Sequence, residues 1–118
     1  MNIYKEIKYF IQRGRRGFSD RDLWSLDFYI VETIGNAIKE LRKNMCGYPA
    51  SLKPKEWEDI LDKMEDGFKA AETIIDRSLM KTDKDGKLNF NEELYKDYMK
   101  RFNKGMDLFK KHFFSLWD

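Results

Sequence analysis

Arg13, Arg15 and Arg16 crowd a short stretch with Gly14 and Gly17, and Arg21 follows within a few residues. Guanidinium groups hold phosphate through paired, charge-assisted hydrogen bonds. Glycines let backbone N–H groups turn toward an anion, and a helix that opens next presents its positive end to the same region. Trp24 offers a flat apolar face on which a base could stack. These residues define a candidate ligand-binding set of Arg13, Arg15, Arg16, Arg21 and Trp24. The plainer reading is an exposed basic loop with Trp24 and Phe28 in the core. Asp20 and Asp22 weigh against an anion site, because they can neutralise the helix end themselves.

The segment from Thr82 to Glu92 has the outline of a calcium-binding loop. With Gly86 at the sixth position, Asp83, Asp85 and Glu92 fall at the third, fifth and twelfth, but Lys81 stands where the first oxygen ligand belongs. An ammonium there removes a ligand and adds a like charge. The expectation is an Asp85-Gly86 turn followed by a helix cap, without functional calcium binding. Asp27 lies between Leu26 and Phe28 in an apolar stretch, so it is expected to be buried and paired with Arg13, Arg16 or a lysine. His112, between Lys111 and Phe113, is expected to face solvent. Cys46 and His112 are the only residues of their kinds, so zinc coordination by the two is not expected. The chain has no phosphate-binding Walker loop, dinucleotide fingerprint or serine elbow. No catalytic residue, metal ligand or cofactor is assigned.

Helices must position these residues. Ile3, Ile7, Phe10 and Ile11 fall on one face of a short helix from Ile3 to Gln12, which the glycines then end. Ser19 is the expected N-cap of a long helix reaching about Lys43. Asp22 sits at its capping-box position, and Phe18 and Leu23 at its hydrophobic staple. Leu23, Leu26, Ile30, Ile34, Ala37 and Leu41 form its stripe, and Trp24, Phe28 and Val31 widen it, so Leu23 to Leu41 is expected at the centre of the fold. Pro54 opens a third helix, expected to reach about Met80, with Trp57, Ile60, Leu61, Met64, Phe68, Ala71, Ile75 and Leu79 in register. Asn91 caps the last helix, with Phe90 and Tyr95 as a second staple. Its stripe runs through Tyr95, Met99, Phe102, Met106, Phe109, Phe113 and Trp117. No strand longer than a residue or two is expected. The fold class is all-α, a small antiparallel helical bundle of three long helices plus a short N-terminal helix, in a single domain over residues 1–118.

The composition agrees with a packed domain. Aromatics make up 15% of the 118 residues, enough to build a core despite 37% charged residues. The formal net charge of +2 gives no strong polyanion signal, although basic residues gather near the N-terminus and acidic ones between Glu56 and Asp76. A single cysteine suits a reducing compartment. No apolar run approaches the roughly 20 residues that span a bilayer, and Met1 to Lys5 lacks the apolar core of a signal peptide. A cytoplasmic protein with no membrane partner is expected.

Several strings together are distinctive: Arg16-Gly17-Phe18-Ser19-Asp20-Arg21-Asp22-Leu23-Trp24-Ser25-Leu26-Asp27, then Gly47-Tyr48-Pro49, Pro54-Lys55-Glu56-Trp57, and Phe113-Phe114-Ser115-Leu116-Trp117-Asp118. In this order they resemble a family of small proteins encoded by tailed bacteriophages. The resemblance covers most of the chain from Arg16 onward. It implies phage origin and a role inside the infected cell, and carries no functional residue with it. The expected function is therefore non-enzymatic and works by binding. The protein would counter host defence by blocking a host protein, or by sequestering a small phosphorylated nucleotide signal on the arginine set, with a homo-oligomer as the natural way to build a pocket. The alternatives are a nucleic-acid accessory protein using the basic stretch Arg13 to Arg16, or a structural or assembly protein. An exposed apolar patch favours the protein target, whereas a concave pocket of arginine and aromatic side chains favours the nucleotide.

Overall fold

The computed structural model describes residues 2–45, 47–77, 79–82, 84–86 and 88–117, with the backbone alone at 81, 82 and 88. The fold is all-α. Its helices are α1 (Ile3–Arg16), α2 (Asp20–Trp24), α3 (Leu26–Lys43), α4 (Pro54–Ile75) and α5 (Glu92–Lys111), with a 3₁₀ turn at Phe113–Ser115. Two short strands, β1 (Met80–Thr82) and β2 (Leu88–Phe90), pair antiparallel with Met80 opposite Phe90. The sequence pattern did not show them, because three residues are too few to set up an alternation. Gly86, at φ 80°, lies in the turn that brings them together. The calcium-loop reading includes Asp83, which lies outside the described residues, as does Cys46.

The chain divides into two compact units, Met1–Ile30 and Val31–Asp118. In the first, α1 runs a turn further than expected, so Arg13, Arg15 and Arg16 are helical and not a loop. Of the two glycines, Gly17 ends the helix. It takes the left-handed conformation at φ 87°, and its N–H reaches the Arg13 carbonyl at 2.9 Å. Three cations in the last turn also suit the negative end of the helix dipole. The long helix expected from Ser19 is interrupted at Ser25, whose φ of −133° and ψ of 54° are not helical. Leu26 then starts α3, with Asp27 in its first turn. Asp27 is exposed, correcting the expectation of a buried pair, and its Oδ1 accepts from the Phe28 N–H at 2.8 Å.

The second unit has its core on α4. Trp57, Leu61, Met64, Phe68 and Ala71 recur at steps of three and four and are buried, joined by Val31 and Ile38 of α3. Phe102 and Phe109 of α5 pack against this cluster. The expected centre, Leu23 to Leu41, is therefore displaced: Leu23, Leu26 and Ile30 are exposed. Both segments carry apolar stripes, and small residues decide which one is enclosed. Gly35 of α3 lies against the Phe68 side chain, and Gly67 of α4 meets Gly105 of α5 backbone to backbone. Paired contacts set the directions. Gly35 meets Phe68 and Arg42 bonds Glu65, while Trp57 meets His112 and Asp66 bonds Arg101, so α4 runs antiparallel to both neighbours. His112 is half-buried, not solvent-facing, with its ring edge-on to Trp57 at 5.5 Å. Burial pushes its pKa below the ordinary value, and Lys111 adds to the shift. α4 stops at Ile75, short of the expected Met80, because Arg77 takes a left-handed φ of 63°.

The glycine crossing yields a prediction of opposite signs. A Cβ at Gly67 would stand 2.7 Å from the Gly105 Cα, whereas one at Gly14 would meet nothing within 4 Å. Gly67→Ala should lower stability by about 1–3 kcal/mol through overpacking. Gly14→Ala should be neutral or stabilising by up to about 1 kcal/mol through helix propensity. Denaturant unfolding of the two variants beside the parent chain checks both.

Candidate functional site

The arginine set lies where α1 turns back onto α2. Gly17 reverses the chain, Ser19 caps α2, and its buried hydroxyl oxygen accepts from the Asp22 N–H at 3.3 Å. Asp22 completes the capping box by accepting from the Ser19 N–H at 2.8 Å. That places the Asp22 carboxylate, only 5% exposed, beside α1. Arg13 grips it with both arms of its guanidinium, Nε to Oδ2 at 2.8 Å and Nη2 to Oδ1. The Arg13 bond holds Asp22 far below the usual carboxylate range, burial opposes the shift, and the Ser19 bonds add to it.

Similar pairing takes most of the other arginines. Arg16 donates from Nη2 to Asp20 Oδ1 at 2.5 Å and from Nε to the Phe18 carbonyl at 2.9 Å, and lies 4.5 Å over the Phe18 ring. Arg21 pairs with Glu6 and lies 4.4 Å over the Tyr9 ring. Gln12 and Asp20 exchange two bonds, Gln12 Nε2 to Asp20 Oδ2 at 2.9 Å and Asp20 N–H to Gln12 Oε1 at 2.8 Å. The bond from Gln12 and then the one from Arg16 lower the Asp20 pKa, and the Arg21 bond lowers that of Glu6. Arg15 has no carboxylate partner among the described residues. Trp24 is 81% exposed, outside any core.

Two of the predicted residues, Arg13 and Arg21, line one cleft of about 350 Å³ with Glu6, Tyr9, Phe10 and Ser19. Arg15, Arg16 and Trp24 do not line it. Asp22 and Glu6 balance the charge of the two cleft arginines, so an incoming anion would compete with carboxylates already in place. Glu6, Tyr9 and Gln12 had not been singled out as partners of this cluster. Their spacing on α1 was readable, but the tight reversal at Gly17 that aims them at α2 was not.

On the helical wheel, Ile3, Ile7, Phe10 and Ile11 share about a third of the circumference of α1. Glu6, Tyr9, Gln12, Arg13 and Arg16, which meet residues of the Phe18–Asp22 segment, share the other side. The first unit is thus joined through the polar face of α1, and each of the four apolar residues stays half or more exposed. Among its described residues the buried ones are Ser19 and Asp22, both polar.

In the second unit, Gly47, Tyr48 and Pro49 border a small hollow of about 50 Å³ with Ser115 and Trp117, so two of the distinctive strings meet in space. Among the described residues, no three of His, Cys, Asp and Glu gather as metal ligands, and no helix is long and apolar enough to cross a membrane. Comparison with protein-family models, curated proteins and solved structures gives no match to this chain.

The pairing of Arg13 gives it a structural role in joining α1 to α2. Arg13→Ala leaves a buried carboxylate with only its capping bonds. It should weaken residues 3–24 by about 1–2 kcal/mol, discounted for the exposure of the guanidinium. Arg15→Ala should leave the stability of these residues unchanged. Because the folded-state pKa values of Asp22, Asp20 and Glu6 are lowered, their contribution is complete above the ordinary carboxylate range and is lost as pH falls through and below it. Hydrogen exchange at the amides of residues 3–24, followed toward acid pH, reads both effects.

Proposed function

We propose that the chain is a non-enzymatic phage protein that works by binding inside the infected cell, and that it blocks a host protein through the corner between α2 and α3. The phage setting rests on the resemblance carried by the strings from Arg16 to Asp118. The scaffold is taken as a small antiparallel bundle of α3, α4 and α5, a reading supported by the paired contacts of α4.

The observation that carries the proposal is the exposure of Trp24, in company with exposed Leu23, Leu26 and Ile30. A large aromatic among aliphatic side chains on a short, capped helix has the composition of a protein-binding hot spot. A sequestered nucleotide is the second reading. The cleft between Arg13 and Arg21, with Tyr9 as a stacking ring, supports it, and the paired carboxylates weigh against it. Nucleic-acid binding is weaker still, since Arg13, Arg16 and Arg21 are already paired.

Trp24→Ala tests the assignment. The side chain is exposed, so stability should stay within about 0.5 kcal/mol. A hot-spot loss of 2 kcal/mol or more corresponds to at least about a thirtyfold loss of affinity. Phage carrying Trp24→Ala should therefore lose the growth advantage that the intact protein confers in the host. Unchanged growth would refute the corner, and loss on Arg21→Ala instead would move the function to the cleft.

A further inference from the structure

The apolar face of α1 is not used by the Trp24 corner or by the contacts that join α1 to α2. Ile3, Ile7, Phe10 and Ile11 form a continuous stripe, with Phe10 79% exposed. Helices ordinarily turn such a stripe toward their nearest packing partner. Here α2 takes the opposite face through Arg13, Arg16, Gln12 and Glu6. The surroundings of the stripe are basic. α1 carries Lys5, Lys8, Arg13, Arg15 and Arg16 against Glu6 alone, and Arg21 already pairs with that carboxylate. On the wheel, Lys8 and Arg15 border the stripe next to Tyr4 and Ile11, whereas Lys5 lies on the opposite face, between Gln12 and Arg16. Lys5, Lys8 and Arg15 are all exposed, and Lys8 has only a 3.8 Å contact with Asp20.

We propose that α1 docks on an anionic lipid surface, lying in its plane with Ile3, Ile7, Phe10 and Ile11 among the acyl chains and Lys8 and Arg15 against the headgroups. Charge complementarity selects this occupant. A second copy would bring another strongly basic helix to the same stripe, whereas an anionic bilayer meets the apolar face and the cations together. Fourteen residues span about 21 Å as a helix, too short to cross a bilayer but long enough to lie on one. The expectation of no membrane partner rested on the lack of a crossing segment, and a helix lying in the interface does not require one. α2, fixed to the far side of α1, would stay in water.

Flotation of the full chain with vesicles tests this. It should float with phosphatidylcholine–phosphatidylglycerol vesicles, not with phosphatidylcholine alone, and raised salt should weaken binding. Ile7→Ser combined with Phe10→Ser should reduce binding at least about tenfold, and Lys8→Glu combined with Arg15→Glu by a similar factor. All four side chains are exposed, so circular dichroism should match the parent chain. Trp24→Ala should float normally, which separates this inference from the proposed host-protein contact. Failure to float, equal flotation with neutral vesicles, or undiminished binding by the Ile7/Phe10 variant would overturn the proposal. A soluble dimer abolished by the Ile7/Phe10 variant, without flotation, would overturn it in favour of a second copy.

Discussion

The ionic seam between α1 and α2 is the constraint on which the first unit depends. Its centre is the Asp22 carboxylate, which caps its own helix through the Ser19 N–H and takes both arms of Arg13 from the helix before. A buried carboxylate needs such partners, because removing it from water is costly otherwise. Once Arg13, Arg16 and Gln12 point toward the seam, helical geometry turns Ile3, Ile7, Phe10 and Ile11 the other way. The exposed apolar stripe and the charge-balanced cleft are thus two consequences of one pairing. The same pairing weakens a simple anion site, because guanidiniums held by carboxylates are poorly placed to recruit phosphate.

The second unit is organised differently. Leu61 and Met64 are fully enclosed, and α3 and α5 approach α4 closely because Gly35, Gly67 and Gly105 present no side chain at the crossings. Ion pairs there sit beside an apolar core: Arg42 bonds Glu65 at 2.8 Å, and Arg101 bonds Asp66 at 2.9 Å. Residues 31–118 therefore have the ordinary basis of helix-bundle stability, burial of apolar area. Residues 1–30 have polar bonds and a short turn instead. A segment of that size has little capacity to build a core of its own, which suits a surface whose apolar side chains are free to contact something else.

Local signals were legible in the sequence where a residue's partner lies within a turn of it. The Ser19–Asp22 capping box, the Asn91 cap, the Pro54 start and the contact of Phe90 with Tyr95 all follow from spacing and are present. So was the apolar stripe of α4. The rest required distances that periodicity does not encode. Gly14 and Gly17 look alike in sequence, yet only Gly17 takes a left-handed conformation. The stripe from Leu23 to Leu41 continues across Ser25, which hid the break. Asp27 looked buried among apolar neighbours, but Leu26 is itself exposed and Phe28 only half-buried. The arginines of the candidate set were visible as a cluster, while their partners became visible only once the reversal at Gly17 set α2 against α1.

Salt dependence of hydrogen exchange tests most directly whether polar pairing, and not apolar burial, holds the first unit. Sodium chloride screens partly exposed ion pairs and leaves a buried apolar core largely unaffected. Protection at the α1 and α2 amides should fall as salt is raised, relative to the amides of Trp57 to Ala71 in the same sample. Protection in α1 and α2 that holds or rises in step with those core amides would contradict the account.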